Sequence, residues 1–259
     1  MVSVKWYGTN ALEFKYSNGT FMIDPYVSRN PGQLTVPQEQ KKYLTSSPDF
    51  VLMTHAHWDH LPDMPFLIQK TNTVLYASRT ACNIMRSLGV AERNLHELSY
   101  GEVLDFPQGV KVTAIESRHM GVMPEENFYD TMQPAETFTR AEAWRCGEIF
   151  AFLIECDDIK ILNIGSANIH IPTMHDLSCD YLIGGISRWK DGFPELLSEN
   201  IKYKYLIPTH HDEFTLPLDQ FYLRNDLDRL KEAIPALKYK ELKILDWVNL
   251  TAVQEKFSR

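Results

Sequence analysis

The most informative stretch of this chain, for both fold and function, is Thr54-His55-Ala56-His57-Trp58-Asp59-His60. The apolar run 50–53 precedes it and follows Ser47-Pro48-Asp49, which predicts a buried strand that delivers the histidines to a strand end. Imidazole nitrogens together with a carboxylate oxygen suit zinc first, and then manganese or iron. The pattern therefore favours a metal site over a His-rich surface turn that binds ions by chance.

The spacing inside this stretch predicts two groups of ligands. His55 and His57 are two residues apart, so in extended chain their side chains point the same way and can share one ion. Asp59 and His60 follow where the chain must turn before Leu61-Pro62, so they can face a second ion. Asp59 is also the candidate catalytic base or orienting group.

With this loop, the chain resembles the metallo-β-lactamase superfamily, whose hallmark is a His-x-His-x-Asp-His loop at the end of a strand. The resemblance implies that His119 is the third histidine of the first metal site and that His210 closes the second. It also implies that Asp24, in Phe21-Met22-Ile23-Asp24-Pro25, supports the metal loop from behind.

The resemblance also implies the architecture, an α/β fold built as a four-layered αββα sandwich in a single domain over residues 1–259. Within the superfamily, the opening Trp6-Tyr7-Gly8-Thr9-Asn10-Ala11 and the late Ile207-Pro208-Thr209-His210 look most like the branch of the ascorbate-6-phosphate lactonases. Periodicity alone predicts only a mixed α/β chain.

One landmark of the family differs. An Asp within Gly-Asp-Thr usually bridges both metals, but here the predicted strand 159–164 leads into Gly165-Ser166-Ala167-Asn168, so Ser166 stands at that position. A neutral hydroxyl is a poor ligand for a divalent ion, so the second site is expected to be weakened.

Three consequences remain open. The second ion is held all the same, with water filling the gap or with Asn168, His170, Glu116 or His211 replacing the carboxylate. Alternatively the enzyme is mononuclear, with Asp59 as the base, or the site is degenerate and no longer catalyses.

Composition agrees with an enzyme of small molecules. The chain has 259 residues, 44% of them hydrophobic, and a net charge of −8 without a basic face, which disfavours nucleic acid as a partner. We expect a small-molecule substrate and no membrane partner, because no stretch approaches about twenty apolar residues and the start lacks a signal core. Four dispersed cysteines indicate free thiols and a cytoplasmic location. A homo-oligomer is left open.

Strands and helices alternate along the chain. We predict strands over 2–7, 11–16, 20–24, 73–77, 102–106, 110–115, 149–155, 160–164 and 181–186, and helices over 79–88, 193–200 and 218–233. Ser78 is the expected N-cap of the first helix.

The segment 117–148 is predicted to be a lid, because it is long, rich in Met and aromatic residues, and inserted beside the expected strand-end site. Arg188 and Lys190 follow a predicted strand and are candidates for binding a phosphate or carboxylate of the substrate, and His211 is a candidate for lining the pocket.

The favoured function is a metal-dependent hydrolase that uses one or two ions, zinc before manganese or iron, to activate water against a small ester, lactone, amide or phosphoester. One alternative is a mononuclear iron or manganese enzyme with oxidative chemistry. The other is a metal-containing protein that binds a ligand without turning it over.

Overall fold

The computed structural model describes residues 1–29, 36–107, 109–119, 144–189 and 192–250. Most of the predicted lid, 117–148, and the candidate Lys190 lie outside these ranges, so both stay predictions.

Two large sheets form the centre of the described structure. The first has seven strands in the order β15-β1-β2-β3-β4-β5-β6, and the second has six in the order β14-β13-β11-β10-β8-β7. A small sheet pairs β9 with β12. The strands are β1 (Ser3–Trp6), β2 (Leu12–Tyr16), β3 (Gly19–Ile23), β4 (Phe50–Leu52), β5 (Val74–Ala77), β6 (Leu95–Glu97), β7 (Val103–Phe106), β8 (Val110–Glu116), β9 (Arg118–His119), β10 (Phe150–Cys156), β11 (Ile159–Asn163), β12 (Ala167–Asn168), β13 (Leu177–Gly185), β14 (Ile201–Thr209) and β15 (Trp247–Asn249).

The inner faces of the two large sheets share one apolar core. Alternating side chains of β2, β3 and β4 meet those of β8, β10 and β11 in a single buried cluster. An aromatic stack crosses the gap, in which the ring of Phe50 from the first sheet lies 3.6 Å from that of Phe106 in the second. Burial of this apolar surface is the main force that joins the sheets.

Helices cover the two outer faces. The helices are α1 (Met64–Thr71), α2 (Arg79–Ser87), α3 (Ile171–Met174), α4 (Phe193–Asn200) and α5 (Asp226–Ala233). Apolar residues of α1 and α2 pack on the first sheet, and those of α4 and α5 pack on the second. The order helix, sheet, sheet, helix confirms the predicted αββα sandwich.

The carboxyl ends of the parallel strands meet at one edge of the sandwich. Strands β3 to β6 run parallel in the first sheet, and β11, β13 and β14 run parallel in the second. The segments that follow β3, β4, β11 and β14 begin with Asp24, Met53, Ile164 and His210. Such an edge is where α/β sheets commonly bind ligands, so the fold gathers the predicted metal-binding residues there.

Most predicted elements are confirmed to within a few residues, and Ser78 caps α2 by accepting a hydrogen bond from the Ala81 amide. The helix predicted over 218–233 is wrong in its first half. The structure has only a short 3-10 turn at Leu218–Gln220 before α5, because Leu223 pairs instead with Asp212 in an isolated bridge. Helix α1 had no prediction. All four cysteines are buried thiols, as expected.

The buried carboxyl of Asp63, which precedes α1, makes the stability of the folded chain depend on pH. Burial raises the pKa of this carboxyl to about 6, although its Oδ2 accepts hydrogen bonds from the amides of Val27 (2.6 Å) and Ser28 (2.7 Å). The folded chain therefore binds more protons than the unfolded chain between about pH 4 and pH 6, and stability falls as pH rises through this window. We expect Asp63→Asn to remove on the order of 3 kcal/mol of that pH dependence.

The measurement is the free energy of unfolding in urea from pH 4 to pH 7. Asp105→Asn is the matched control, because Asp105 is exposed on β7. An Asp63→Asn slope equal to that of the wild type would contradict the assignment.

Candidate metal centre

His55, His57 and His119 form the first cluster of metal-ligand type. The loop after β4 carries the first two residues, and β9 brings the third across from the second sheet. Nε2 of His55 lies 3.1 Å from Nδ1 of His57, and the ring of His119 lies 5.1 Å and 4.8 Å from the other two rings. Two nitrogens bound to one tetrahedral zinc ion at about 2.0 Å lie about 3.3 Å apart, so the spacing suits a shared ion.

Asp59, His60 and His210 form a second cluster beside the first. Oδ2 of Asp59 lies 3.1 Å from Nε2 of His210, and Oδ1 of Asp59 lies 3.8 Å from Nε2 of His60. The rings of His55 and His60 are 4.0 Å apart, so the two clusters adjoin. Nδ1 of His210 is buried and has no hydrogen-bond partner among the described residues.

The electrostatics of the first cluster favour neutral imidazoles. Burial and the neighbouring histidines lower the pKa of His55 well below its ordinary value and that of His57 to about 3. A neutral imidazole keeps a lone pair for a metal ion. The first cluster therefore fits a divalent ion.

The second cluster attracts positive charge. Burial works to raise the pKa of Asp59, but His60 and His210 hold it below its ordinary value. Burial works to lower the pKa of His60, but Asp59 and Asp24 raise it. The carboxylates that favour a proton on the His60 ring also favour a metal ion at this site, because both carry positive charge.

Asp24 lies behind the loop that carries His55, His57 and His60. Its carboxylate accepts hydrogen bonds from the side-chain amide of Asn10 (2.7 Å), from the amide and hydroxyl of Thr54 (2.7 Å and 2.5 Å), and pairs with Nδ1 of His60 at 2.8 Å. An acceptor at Nδ1 fixes the ring of His60 with Nε2 directed at the cluster.

We expect Asp24→Asn to weaken ion binding at the second cluster by about 10- to 100-fold, the range for residues that orient a ligand. An amide offers one acceptor oxygen to four donors, so the hydrogen bond to His60 competes with the others. The measurement is a zinc titration. Asp49→Asn is the control, because Asp49 accepts a hydrogen bond from the Thr20 amide on the exposed surface. Equal affinities in the two variants would refute the role.

Arg29 and Asp212 are a pair that the sequence did not indicate, since they lie 183 residues apart and neither belongs to a motif. Their ion pair is 2.7 Å long and both side chains are 0% exposed. Asp212 also accepts a hydrogen bond from the Thr9 amide, and the Thr9 carbonyl accepts one from the amide of His210, which has a φ of +53°. The pair therefore fixes the loop that presents His210.

Ser166 lies against the second cluster. Its hydroxyl is 3.5 Å from Nε2 of His60, and the residue is 7% exposed. The turn approaches β13 closely, because a Cβ added to Gly185 would lie 2.8 Å from the Gly165 carbonyl oxygen and the Ser166 Cα.

Three of the four residues considered as replacements for the family's carboxylate have polar partners elsewhere, and the fourth, His211, is stacked in the interior. Glu116 pairs with Arg118 at 3.0 Å, Asn168 accepts a hydrogen bond from the Ile169 amide at 2.9 Å, and His170 bonds to the Thr173 hydroxyl at 3.0 Å. His211 is 1% exposed and stacks on Trp6 with ring centroids 5.4 Å apart. None of the four belongs to either ligand cluster in the described part of the chain.

Arg188 is exposed, and its backbone amide donates to Asp226 at 3.1 Å. In the described part of the chain, no contact connects the Arg188 side chain with a residue of the two ligand clusters. His211 is buried. The substrate-binding roles of both residues stay predictions.

Residues 20–136 match the family model described as beta-lactamase superfamily domain. A UPF0173 metal-dependent hydrolase of Polynucleobacter asymbioticus is 28% identical over 80% of this chain and 73% of its own. Alignments to relatives from Polaromonas and two Cupriavidus species cover 58%, 56% and 56% of those chains.

Solved structures share the fold. Igni18, a metallo hydrolase of Ignicoccus hospitalis, has a TM-score of 0.62 at 16% identity over 95% of this chain and 97% of its own. CmlA, a diiron β-hydroxylase of Streptomyces venezuelae, has a TM-score of 0.59 at 14% identity over 96% of this chain and 54% of its own.

The matched segment, the fold and the two ligand clusters resemble the metallo-β-lactamase superfamily, and the relatives compared above are named metal-dependent hydrolases. The match to the ascorbate-6-phosphate lactonase branch stays a prediction. Among the described residues, the helices are too short or too polar to cross a bilayer.

Proposed function

We propose that the protein hydrolyses a small ester, lactone, amide or phosphoester at the two adjoining clusters, with zinc as the preferred ion and manganese or iron as alternatives. The observation that supports this most directly is the convergence of six ligand side chains in two groups, each with its ligand atoms within 4.8 Å of one another.

The two clusters have separate roles in this proposal. The residues His55, His57 and His119 hold the first ion, and Asp59, His60 and His210 hold the second. A divalent ion in such a site lowers the pKa of water and polarises the oxygen of the electrophile.

Asp59 is the residue proposed to accept the proton of the attacking water. Its Oδ2 faces Nε2 of His210 at 3.1 Å, whereas its Oδ1 is farther from a partner, 3.8 Å from Nε2 of His60. Oδ1 is therefore the oxygen with acceptor capacity to spare. The lowered pKa of this carboxyl keeps it ionised, which suits it to orient the water. It also makes Asp59 a weak base, so proton transfer to it would depend on a bound ion that acidifies the water.

The surroundings support a small-molecule substrate. A net charge of −8 opposes binding of a polyanion such as nucleic acid. Arg188 and Lys190 are proposed to contact the substrate, and the segment 117–148 is proposed to close over it. Asp24 is proposed to hold His60 in place.

Elemental analysis of the protein as purified tests the metal assignment, and a hydrolase screen with esters, lactones, amides and phosphoesters tests the reaction. We expect one or two zinc or manganese ions per chain and hydrolysis that a chelator abolishes and zinc restores. Protein without a bound transition metal, and without activity after zinc is added, would refute the proposal.

Oxidative chemistry at a single iron ion is a second candidate, favoured by the five histidines and one carboxylate among the six ligand residues. Iron at one ion per chain, with oxygen consumed in the presence of a substrate, would support it. Full activity of the zinc-loaded protein without oxygen would exclude it.

A further inference from the structure

The ligand set of the two clusters carries little negative charge. Five of the six ligands are histidines, and Asp59 is the single carboxylate. Asp24 adds one charge behind His60. Two divalent ions bring four positive charges into a site where Asp59 and His60 are 7% and 0% exposed, and uncompensated buried charge is costly. The protein alone supplies about half of the neutralising charge.

The place where a further negative charge would act is beside Ser166. Its hydroxyl is 3.5 Å from Nε2 of His60, so the side chain faces the second cluster. The turn cannot shift toward β13, since Gly185 already approaches the backbone of Gly165 and Ser166. Glu116, the acidic residue considered as a substitute, pairs with Arg118.

We propose that an anionic oxygen of the substrate, from a carboxylate or a phosphate, occupies the position beside Ser166 and supplies this missing charge. Ser166 donates its hydroxyl hydrogen to that oxygen. This inference rests on the proposed function and narrows its substrate class to small acids and phosphate esters. The ion of the second cluster and the substrate anion then bind cooperatively, and each raises the affinity of the other by the same factor.

Zinc titration of the metal-free protein tests the coupling without relying on activity. Three series use sodium chloride, acetate or methylphosphonate at equal ionic strength, and methylphosphonate serves because its C–P bond resists hydrolysis. We expect acetate or methylphosphonate to raise the affinity for the second ion by about 5- to 150-fold over chloride, the usual range of coupling between sites. The stronger of the two identifies the carboxylate or the phosphate as the preferred group.

Variants of Ser166 test whether the anions act beside this residue. Ser166→Asp supplies the charge permanently, so we expect its second ion to bind tightly in chloride and to respond little to either anion. Ser166→Ala removes the hydroxyl donor but adds no charge, so the response to the anions should weaken. Ser178→Asp is the control, because Ser178 is exposed near the amino end of β13, away from Gly185 at the other end.

The outcomes separate this inference from the proposed function. A second ion that binds as tightly in chloride as in acetate and methylphosphonate overturns the inference while leaving the hydrolase proposal intact. Failure of the wild-type protein to bind even one ion overturns both. Should Ser166→Asp not fold, the comparison of wild type with Ser166→Ala in the three salts still decides, because equal anion responses in those two proteins contradict the role of Ser166.

Discussion

His57→Ala is expected to abolish binding of the tighter metal ion and to reduce hydrolysis to background. Nδ1 of His57 lies 3.1 Å from Nε2 of His55, and its ring lies 4.8 Å from that of His119, so His57 adjoins both other members of the first cluster. Its removal leaves two imidazoles where a zinc site needs at least three protein ligands. The loss of affinity should exceed the 10- to 100-fold typical of a residue that only supports a ligand.

The measurement is zinc content after dialysis, together with a competitive titration against a chelating dye. His175→Ala is the matched control, because His175 is an exposed histidine whose partner is Asp176. The fold of both variants is checked by circular dichroism. Zinc bound to His57→Ala with the stoichiometry and affinity of the wild type would remove His57 from the metal site.

Arg29→Met is expected to lower the free energy of unfolding by about 3 to 5 kcal/mol, the usual cost of breaking a buried ion pair from one side. The guanidinium bonds to Asp212 at 2.7 Å and to the carbonyls of Glu213 and Leu216 at 2.8 Å and 2.5 Å. Methionine has a similar length but no donor, so the carboxylate of Asp212 is left buried with one partner fewer.

Urea unfolding measures this loss, and Arg86→Met is its control. Arg86 pairs with Glu92 and Glu97 on the surface, where solvent screens the charges, so the loss should be much smaller. We also expect weaker ion binding at the second cluster in Arg29→Met, because Asp212 and Thr9 fix the backbone of His210. Equal stability losses in the two Met variants would contradict the buried-pair argument.

Several parts of the site could be predicted because their signals are local. The run of histidines after an apolar strand is visible within eleven consecutive residues, 50–60, and the structure places all three in ligand clusters. His119 and His210 could not be predicted as ligands from a local motif, because neither lies in one. The resemblance to the superfamily was the basis of both predictions. Ser78 as a helix cap is also a local signal, and its predicted hydrogen bond is present.

The helix predicted over 218–233 shows where local pattern fails. The residues before α5 have apolar spacing that suits a helix, yet Leu223 pairs with Asp212, whose carboxylate is fixed by Arg29. Contacts with a distant part of the chain therefore outweighed local propensity. Helix α1 had no prediction for the complementary reason, since much of its order comes from packing against the first sheet.

Side-chain chemistry and near neighbours in the chain were enough to predict the alternation of strands and helices, the histidine loop after β4 and its candidate ligand residues. The tertiary structure alone set which residues share a cluster. It placed Asp24 against His60, joined Arg29 to Asp212 across 183 residues, and put Ser166 beside the second cluster with no carboxylate of the described chain to replace the family's Asp. Such contacts arise when two sheets pack face to face and their strand ends meet at one edge, and no local pattern records that meeting.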